Sequence, residues 1–438
     1  MKRKYRKAGS LLIAALMLGV LFATVGVSQA AKEVKLLVWT GYPELNPYYE
    51  IAAEDFEKEH PNVKIDVAAF PLRDYERKRA MSLVAGTGAD LFLLGRLFFP
   101  RYLESGYLLE NPSKVDDFLK KADRYDIPWP WEGVDVKGKS YGLPLFMGGA
   151  ELFWNKTMFA EVGLSNPPKT YDELMEYARK LAKYDAKGNL IRGGISLRLS
   201  GGGAGVAEKW RYWLWSAGGT MLEETLTGKY HSGYNNEAGR DALKWYIDAL
   251  YKYHVDDFKI KHDAEAFALE KTAMFQREGW VIGHLKKHAP HVNYGTAHLP
   301  RWRRWGKRRN QNFMVVPSFC KKDAAWDYLL YLQRPKYQRY MLKNIGWIPC
   351  RQDIDYEDIF KEMPQFRSFI ESPKGYVTFV DKLISPQDEV QTRLAERLMA
   401  AYIRKDLLDD PEGIAKVIAA AAEETDNILK EAELYGER

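Results

Sequence analysis

The chain has 438 residues, of which 46% are hydrophobic and 28% are charged, and its formal net charge is +6. This length is enough for two or three domains with separate cores. Five basic residues fall within the first seven positions, so the remainder of the chain is nearly neutral. A nearly neutral body offers no general attraction to nucleic acid or to anionic membranes, and we expect no nucleic-acid partner.

The N-terminus has the features of a secretory signal peptide. The basic residues are followed by an apolar run at 11–27, and Ser28 and Ala30 are small residues of the kind that a signal peptidase reads. An uncleaved membrane anchor is the alternative, although the run is short for a membrane span. No cysteine lies near Ala30 to carry a lipid anchor. We therefore predict a signal peptide at 1–30 and a soluble periplasmic or extracellular protein.

The first hundred residues alternate between strand and helix patterns. Apolar runs at 34–39, 63–70 and 90–94 predict buried strands, and the intervening segments have the spacing of amphipathic helices. Strands and helices that alternate in this way form a parallel sheet with right-handed crossovers. The fold class is therefore predicted to be α/β.

The N-termini of two later helices can be predicted from capping patterns. Thr170 is followed three residues later by Glu173, which predicts a capping box. Asp410 precedes Pro411, which predicts a cap and a first helical residue. We also predict a strand over 195–199.

The stretch 267–300 suggests a ligand site. It predicts a strand over 272–275, a sharp turn at Gly279, a helix that starts with Trp280, and a strand over 292–299 that passes from one sheet to another. Ligand crevices in open α/β sheets form at the carboxyl ends of strands, which is where Trp280 would lie. An indole at such a place can stack on the apolar face of a sugar ring. A tryptophan in the core is the alternative.

An ordered set of motifs resembles the family 1 extracellular solute-binding proteins of ABC sugar importers. The family's cleft tryptophan motif matches the segment that ends at Trp280, and its hinge motif Y-G-x-x-x-L-P matches 294–300. P-P-K-T-Y-D-E-L at 167–174 and G-W-I-P-C-R at 346–351 match further family motifs. The resemblance covers nearly the whole chain beyond the signal segment.

The resemblance implies a two-lobe clamp of the periplasmic-binding-protein type. Hinge crossings are expected near Pro144, Thr296 and Gln333, so that 31–143 and 296–333 form one lobe and 144–295 and 334–438 form the other. The implied partners are a carbohydrate ligand and an ABC transporter permease, and we expect a monomer. The resemblance implies capture of an oligosaccharide without an enzymatic reaction.

Candidate ligand-binding residues follow from strand ends, glycines and the resemblance. Trp39 follows a strand end and Trp347 follows a glycine, so each could reach the cleft or pack in the core. Where members that bind maltodextrins have an acidic and a basic residue, this chain has Leu97 and Phe98, which argues against a maltodextrin ligand. The full set of predicted ligand-binding residues is Trp39, Arg96, Phe146, Met147, Gly148, Glu208, Lys209, Trp210, Trp280, Trp347 and Arg351.

Other chemistry finds little support in the sequence. The glycine-rich segment 200–205 lacks the G-K-[ST] of a phosphate loop. His284, His288 and His291 could share a helix face, but Pro290 interrupts the helix and no acidic ligand is spaced with them. No catalytic motif such as H-E-x-x-H or G-x-S-x-G occurs. We expect no metal, no cofactor and no enzymatic activity, with an exported carbohydrate-active enzyme as the alternative.

Two features leave alternatives open. The run from Arg301 to Arg309 mixes basic residues with two tryptophans, so it is either a solvated loop or a binding surface for an acidic oligosaccharide or polyanion. Cys320 and Cys350 could form a disulfide in an exported protein, but the sequence does not give the distance between them. On opposite lobes, such a bond would restrict hinge motion.

Overall fold

The structure, a computed structural model, describes residues 32–121, 135–136, 138–260 and 263–437. The predicted signal peptide at 1–30 lies outside these residues. Within them, no helix has both the length and the apolar character needed to cross a membrane.

The strands occur in this order: β1 (Val34–Thr40), β2 (Val63–Ala69), β3 (Leu91–Gly95), β4 (Asp135–Val136), β5 (Lys139–Ser140), β6 (Leu143–Met147), β7 (Ala150–Asn155), β8 (Lys183–Tyr184), β9 (Leu190–Arg192), β10 (Leu222–Glu224), β11 (Tyr230–Ser232), β12 (Met274–Glu278), β13 (Tyr294–Ala297), β14 (Gly306–Arg308), β15 (Gln311–Val315), β16 (Ile348–Pro349) and β17 (Val377–Phe379). The α-helices are α1 (Asn46–Glu59), α2 (Leu72–Ala85), α3 (Phe99–Glu104), α4 (Ser113–Leu119), α5 (Lys156–Glu161), α6 (Tyr171–Leu181), α7 (Gly205–Ser216), α8 (Glu237–Ile247), α9 (Asp263–Ala268), α10 (Trp280–His288), α11 (Asp323–Tyr331), α12 (Pro335–Tyr340), α13 (Glu357–Glu362), α14 (Arg367–Ile370), α15 (Gln387–Tyr402) and α16 (Pro411–Glu431). Single turns of other helix types include Met341–Ile345, a π-turn that extends α12.

The first lobe is built on a six-stranded sheet. Its strand order is β16-β6-β15-β3-β1-β2. The pairs β1–β2 and β1–β3 are parallel, as the sequence predicts, whereas β15 runs antiparallel between β3 and β6. Helices on this sheet enclose one core, to which Leu36, Phe92 and Trp326 belong.

The second lobe is built on a three-stranded antiparallel sheet in the order β12-β7-β13. Successive side chains of a strand point to opposite faces of the sheet, and β7 shows the consequence. Leu152 and Trp154 enter a large core with α7, α8, α15 and α16, whereas Phe153 enters a smaller core with Phe275 and α10. Both faces of this sheet are therefore buried.

Two segments of the described chain lead from one sheet to the other. Gly148 and Gly149 separate β6 of the first sheet from β7 of the second, and 298–310 lead from β13 back to β15. The sequence places a third crossing near Gln333. In the structure, α11, α12 and Cys350 belong to the core of the first lobe. After them, the next residue that belongs to the large core of the second lobe is Ile384.

Both predicted helix caps are confirmed. The Thr170 hydroxyl accepts a hydrogen bond from the Glu173 backbone N–H, and the Glu173 carboxylate accepts one from the Thr170 N–H. Asp410 accepts a hydrogen bond from the Gly413 N–H at 2.9 Å. Caps depend on residues within one turn of each other, so the local sequence is sufficient to predict them.

Three details near the predicted site differ from the expectation. Residues 195–199 form no strand, because only an isolated bridge joins Ser196 to Phe275. The strand predicted at 272–275 is β12, which extends to Glu278. Gly279 has an ordinary helical φ of −60°, and a side chain there would be crowded by the backbone oxygen of Gly346, 3.0 Å from where a β-carbon would lie.

The basic run is partly exposed and partly built into the fold. Arg301, Arg303 and Arg304 are exposed. Trp302 stacks on Tyr171 with 3.9 Å between ring centroids. Residues 306–308 are buried in β14, which pairs in parallel with β17. Lys307 lies 3.3 Å from Glu151, and Arg308 is paired with Asp381. Lys307 and Arg308 are therefore engaged inside the protein, and the exposed Arg303 is paired with Glu237 and Asp241. A role of the run in binding a polyanion stays a prediction.

The two cysteines lie in the same lobe. Cys320 and Cys350 are both buried in the core of the first lobe. A bond between them would therefore not link the two lobes.

Candidate functional site

A cavity of about 380 Å³ lies between the lobes. Its volume falls within the range of small-molecule sites, roughly 300–1,000 Å³. The first lobe contributes Tyr42, Pro71, Leu72, Arg73, Asn312 and Trp347, the second lobe contributes Arg198, Gly202, Gly205, Glu208, Lys209, Tyr212, Arg277, Glu278 and Trp280, and the crossings contribute Gly148, Arg308 and Asn310. A smaller cavity of about 80 Å³ shares Tyr42, Arg73, Glu208, Asn310 and Asn312 with it.

Strand ends bring the first-lobe residues together. Tyr42 comes two residues after the carboxyl end of β1. Asn312 of β15 is paired with Gly95, the last residue of β3, because these two strands run in opposite directions. The carboxyl ends of β1 and β3 and the start of β15 therefore meet at one edge of the sheet, the usual place for a ligand crevice in an α/β fold.

An aromatic cluster forms one wall of the cavity. The Tyr42 ring meets Trp347 edge to face at 5.3 Å and Phe146 at 5.6 Å. The Trp347 indole N–H donates a hydrogen bond to Glu44 at 3.1 Å. Burial raises the pKa of Tyr42, so its phenol stays protonated and can donate a hydrogen bond. These contacts hold the rings in place before any ligand arrives.

Trp280, the first residue of α10, also lines the cavity. It is partly buried and packs against residues of the first-lobe core and of the smaller second-lobe core. The Arg277 guanidinium lies 5.3 Å from its ring centroid. An exposed indole face beside hydrogen-bond donors can take a sugar ring, which has an apolar face and polar edges.

An ion pair forms part of the second-lobe wall. The Lys209 ammonium donates to the Glu278 carboxylate, and both side chains are largely buried. Burial opposes ionisation of Glu278, but Lys209 and Arg277 together hold its pKa well below the usual range. Burial lowers the pKa of Lys209, and Glu278 opposes that shift. The Glu278 carboxyl is therefore ionised at neutral pH.

Glu208 is the other acid of this cavity. Burial again opposes ionisation, and Arg211, Arg308 and Lys209 together lower the pKa of its carboxyl. Arg211 Nη2 lies 3.4 Å from Glu208 Oε1. Glu208 is therefore an ionised hydrogen-bond acceptor that faces the ligand space.

Two arginines of the second lobe share one carboxylate. Arg198 Nη1 lies 3.6 Å from Asp263 Oδ2, and Arg277 Nε lies 3.5 Å from the same oxygen. Burial and the neighbouring Arg277 lower the pKa of Arg198. By contrast, Arg73 of the first lobe has its own close partner, Glu76, at 2.6 Å.

A buried charge cluster adjoins the cavity through Arg308, beside the segment that leads from the second sheet to the first. Asp381 pairs with Arg308 at 2.5 Å and with Arg211 at 3.0 Å, and its backbone oxygen accepts a hydrogen bond from Arg96 at 3.3 Å. The cluster joins the end of β3, helix α7, strand β14 and the segment after β17. It therefore connects the chain crossings to both lobes.

The structure brings five of the predicted ligand residues to the cavity wall: Gly148, Glu208, Lys209, Trp280 and Trp347. Their role in ligand binding stays a prediction. The other six lie elsewhere. Phe146 packs against Tyr42, Trp39 contacts Phe70 and Phe92 in the first-lobe core, and Trp210 is fully buried against Tyr234. Met147 lines a separate cavity of about 50 Å³, Arg96 belongs to the charge cluster around Asp381, and Arg351 pairs with Asp353.

The cavity also contains residues for which the sequence predicts no ligand role: Tyr42, Arg73, Arg198, Tyr212, Arg277, Glu278, Asn310 and Asn312. Arg308, which also lines it, belongs to the basic run 301–309. Some carried a signal. Tyr42 follows a strand end in the same way as Trp39, and Arg277 and Glu278 directly precede Gly279. The apolar run predicts a strand that ends at Phe275, so Arg277 and Glu278 lie beyond the predicted carboxyl end of β12. Arg73 and Arg198 had no local signal.

Comparison with known proteins gives one consistent family. Residues 52–368 match the family model described as bacterial extracellular solute-binding protein. A binding protein of Brucella abortus is 24% identical over 432 residues, which cover 95% of this chain and 98% of that protein. A maltotriose-binding protein of Pyrococcus abyssi is 23% identical over 351 residues, 76% of this chain and 70% of that protein.

Solved structures show the same fold. An ABC transporter solute-binding protein of Thermotoga lettingae, bound with α-D-tagatose, superposes with a TM-score of 0.74 at 24% identity, covering 91% of this chain and all of that one. UgpB of Mycobacterium tuberculosis, in complex with glycerophosphocholine, has a TM-score of 0.74 at 15% identity, covering 91% of this chain and 99% of that one. The two-lobe α/β fold predicted from the sequence is thereby confirmed.

Proposed function

Because this chain belongs to the bacterial extracellular solute-binding proteins, we propose that it captures an oligosaccharide in the cavity between its lobes and delivers it to an ABC importer. The observation that carries the proposal is a ligand-sized cavity lined by aromatic side chains from both lobes, Tyr42 and Trp347 of the first and Trp280 of the second. A sugar held between them would contact both lobes at once.

A contact with both lobes gives the ligand a reason to favour a closed clamp. Stacking and hydrogen bonds made only when the lobes approach lower the free energy of the closed state relative to the open state. The hinge crossings at 148–149 and 298–310 are the segments about which such a movement would occur. The importer's permease would then recognise the closed form, and the protein would act as a monomer outside the cytoplasmic membrane.

We propose binding without chemical turnover. A glycoside hydrolase of the usual kind needs one carboxylic acid that remains protonated near neutral pH. Both acids of the main cavity, Glu208 and Glu278, have lowered pKa values because basic side chains surround them. They are suited to accept hydrogen bonds from sugar hydroxyl groups and not to donate a proton to a leaving group.

A thermal-shift screen tests the proposal. The protein without its first 30 residues would be heated with purified oligosaccharides of different composition, and the mixtures analysed afterwards by chromatography. A ligand at a hundred times its Kd adds about 2.7 kcal/mol to the free energy of unfolding. We expect a rise in Tm with particular sugars and no new products. Turnover, or no response to any sugar, would contradict the proposal.

A further inference from the structure

Building on the proposed capture of a sugar in this cavity, we propose that the ligand is an acidic sugar with a carboxylate, as in an oligosaccharide that contains a uronic acid, and that Arg198 and Arg277 bind the carboxylate. The proposal assigns a ligand class to the cavity and roles to two residues. It depends on an excess of unsatisfied positive charge at one place in the wall.

The two arginines make only long contacts with carboxylates of the protein. The carboxylate oxygens nearest to Arg198 and Arg277 lie 3.6, 3.5 and 3.4 Å away, the last being Glu278 Oε2 beside Arg277 Nη1. Nε of each guanidinium is buried and has no hydrogen-bond partner among the described residues. Guanidinium groups normally form shorter hydrogen bonds to carboxylates, about 2.7–2.9 Å. The positive charges of the pair are therefore only loosely compensated by carboxylates of the protein.

The other basic residues of the cavity wall differ from these two arginines in having close carboxylate partners. Lys209 is hydrogen-bonded to Glu278, Arg73 has Glu76 at 2.6 Å, and Arg308 has Asp381 at 2.5 Å. Each of these three has a close carboxylate of its own. Arg198 and Arg277 share Asp263 at longer range, so they are the bases of the cavity that a ligand anion would satisfy best.

The glycine-rich segment 200–205 packs closely against the Arg198 guanidinium. A β-carbon on Gly201 would lie 3.0 Å from Arg198 Nη2, and one on Gly205 would lie 2.9 Å from the same atom. The absence of side chains lets the backbone approach the guanidinium closely and fixes its position. We infer that these glycines serve to position an arginine, a function that the sequence alone did not suggest.

Two further features make the same wall electropositive. Helix α7 begins at Gly205, and its first residues line the cavity, so the partial positive charge of a helix N-terminus faces the ligand and is opposed by the ionised Glu208 of the same turn. Arg308 is only 3% exposed, lines the cavity, and has no hydrogen-bond partner for Nη2 among the described residues. Both would stabilise a negative charge placed between the lobes.

The neighbouring aromatic side chain favours a sugar acid over a simple carboxylic acid. The Arg277 guanidinium lies 5.3 Å from the ring centroid of Trp280. A sugar ring stacked on this indole would hold its exocyclic carbon near the edge of the ring system. If that carbon is oxidised to a carboxylate, as in a uronic acid, the carboxylate can reach the arginine pair while the ring keeps its stacking contact.

Matched pairs of sugars test the inference by isothermal titration calorimetry. Suitable pairs are α-1,4-digalacturonate with α-1,4-galactobiose, cellobiouronate with cellobiose, and 3′-sialyllactose with lactose, while mannose 6-phosphate with mannose provides a phosphate arm. We expect at least one carboxylate to bind tenfold or more tightly than its neutral partner. The difference should shrink between 50 and 500 mM NaCl because salt screens charge.

The outcomes separate the two proposals. Neutral sugars that bind as tightly as their acids would overturn the inference and leave the proposed sugar-binding function intact. A preference confined to the phosphate pair would overturn the assignment of a carboxylate. Failure of every sugar to bind would contradict both proposals.

Variants test the two residues. In Arg198→Gln and in Arg277→Gln, the ratio of acidic to neutral affinity should fall about tenfold to a hundredfold, because a charge-assisted hydrogen bond is lost. Arg393→Gln is the control, since Arg393 is an exposed residue of α15 paired with Glu396, and its ratio should not change. Misfolding would lower both affinities, so the ratio is diagnostic. An unchanged ratio in both cavity variants, with ordinary thermal unfolding, would overturn the assignment.

Discussion

Gly283 of α10 lies directly against Ile345 in the π-turn that extends α12, so that a β-carbon on Gly283 would come 2.2 Å from the Ile345 backbone oxygen. The helix belongs to the second lobe, and Ile345 belongs to the core of the first. Gly346, which has a φ of +95°, is part of the same contact, because its α-carbon packs against the backbone of Gly283 and Gly279. The two lobes therefore meet backbone to backbone beside Trp280.

Gly283→Ala should weaken this contact between the lobes. The added methyl group cannot fit without moving one backbone away from the other, and overpacking of this kind costs roughly 1–3 kcal/mol. Urea unfolding would measure the loss. Gly202→Ala is the control, because its β-carbon would enter open space, and its effect should stay within about 0.5 kcal/mol. Equal stability of the two variants would contradict the close contact.

Trp280→Ala should weaken ligand binding by roughly 2 kcal/mol, about thirtyfold in Kd, because a buried stacking surface is removed. Calorimetry with a sugar from the thermal-shift screen would measure the change. Trp302→Ala is the control: this indole stacks on Tyr171, away from the cavity, so its removal should lower stability and leave Kd nearly unchanged. Trp280→Ala with wild-type affinity would exclude this indole as a ligand contact.

Lys209→Met should destabilise the protein by roughly 3–5 kcal/mol, because it leaves the Glu278 charge largely buried without its main partner. The double variant Lys209→Met/Glu278→Gln should recover part of that loss, since the lone charge is gone. Chemical denaturation at pH 7 would compare the three proteins. A single variant as stable as the wild type would show that the pair contributes little.

The pH dependence of stability should report the same pair. The pKa of Glu278 is lower in the folded protein than its unfolded value of about 4.3, so the unfolded chain binds the proton more readily. The stabilisation is therefore fully present above that unfolded value and is lost as the pH falls below it. Between pH 6 and pH 3, the wild type should lose more stability than Glu278→Gln. Parallel curves would contradict the lowered pKa.

Gly203→Ala should reduce ligand affinity by displacing Arg73. Gly203 has a φ of +62°, and a β-carbon there would lie 2.8 Å from the Arg73 guanidinium carbon. Gly188→Ala is a matched control, because Gly188 has a φ of +81° and open space around it. Both variants should lose about 1 kcal/mol of stability to backbone strain, but only Gly203→Ala should raise Kd. A similar Kd for both would show that Arg73 is not needed for binding.

The order of secondary structure was largely predictable, and the site was predictable only in part. The caps at Thr170 and Asp410, the parallel strands of the first lobe and the position of Trp280 at a helix start are all local patterns, and the structure contains each of them. The strand expected at 195–199 does not form, and β12 extends further than its apolar run. Exposed or charged residues at a strand end, such as Arg277, give no periodic signal.

The sequence by itself determined the family and the two-lobe α/β architecture, because caps, strand periodicity and ordered motifs act over a few residues. Only the tertiary structure decided which charged side chains face the cavity. Arg198, Asp263 and Arg277 are separated by up to 79 positions and meet because the second-lobe sheet brings their segments together. The same packing buries Trp39 and Trp210 and leaves Trp280 partly buried at the cavity, since the neighbours of a side chain come from distant parts of the chain.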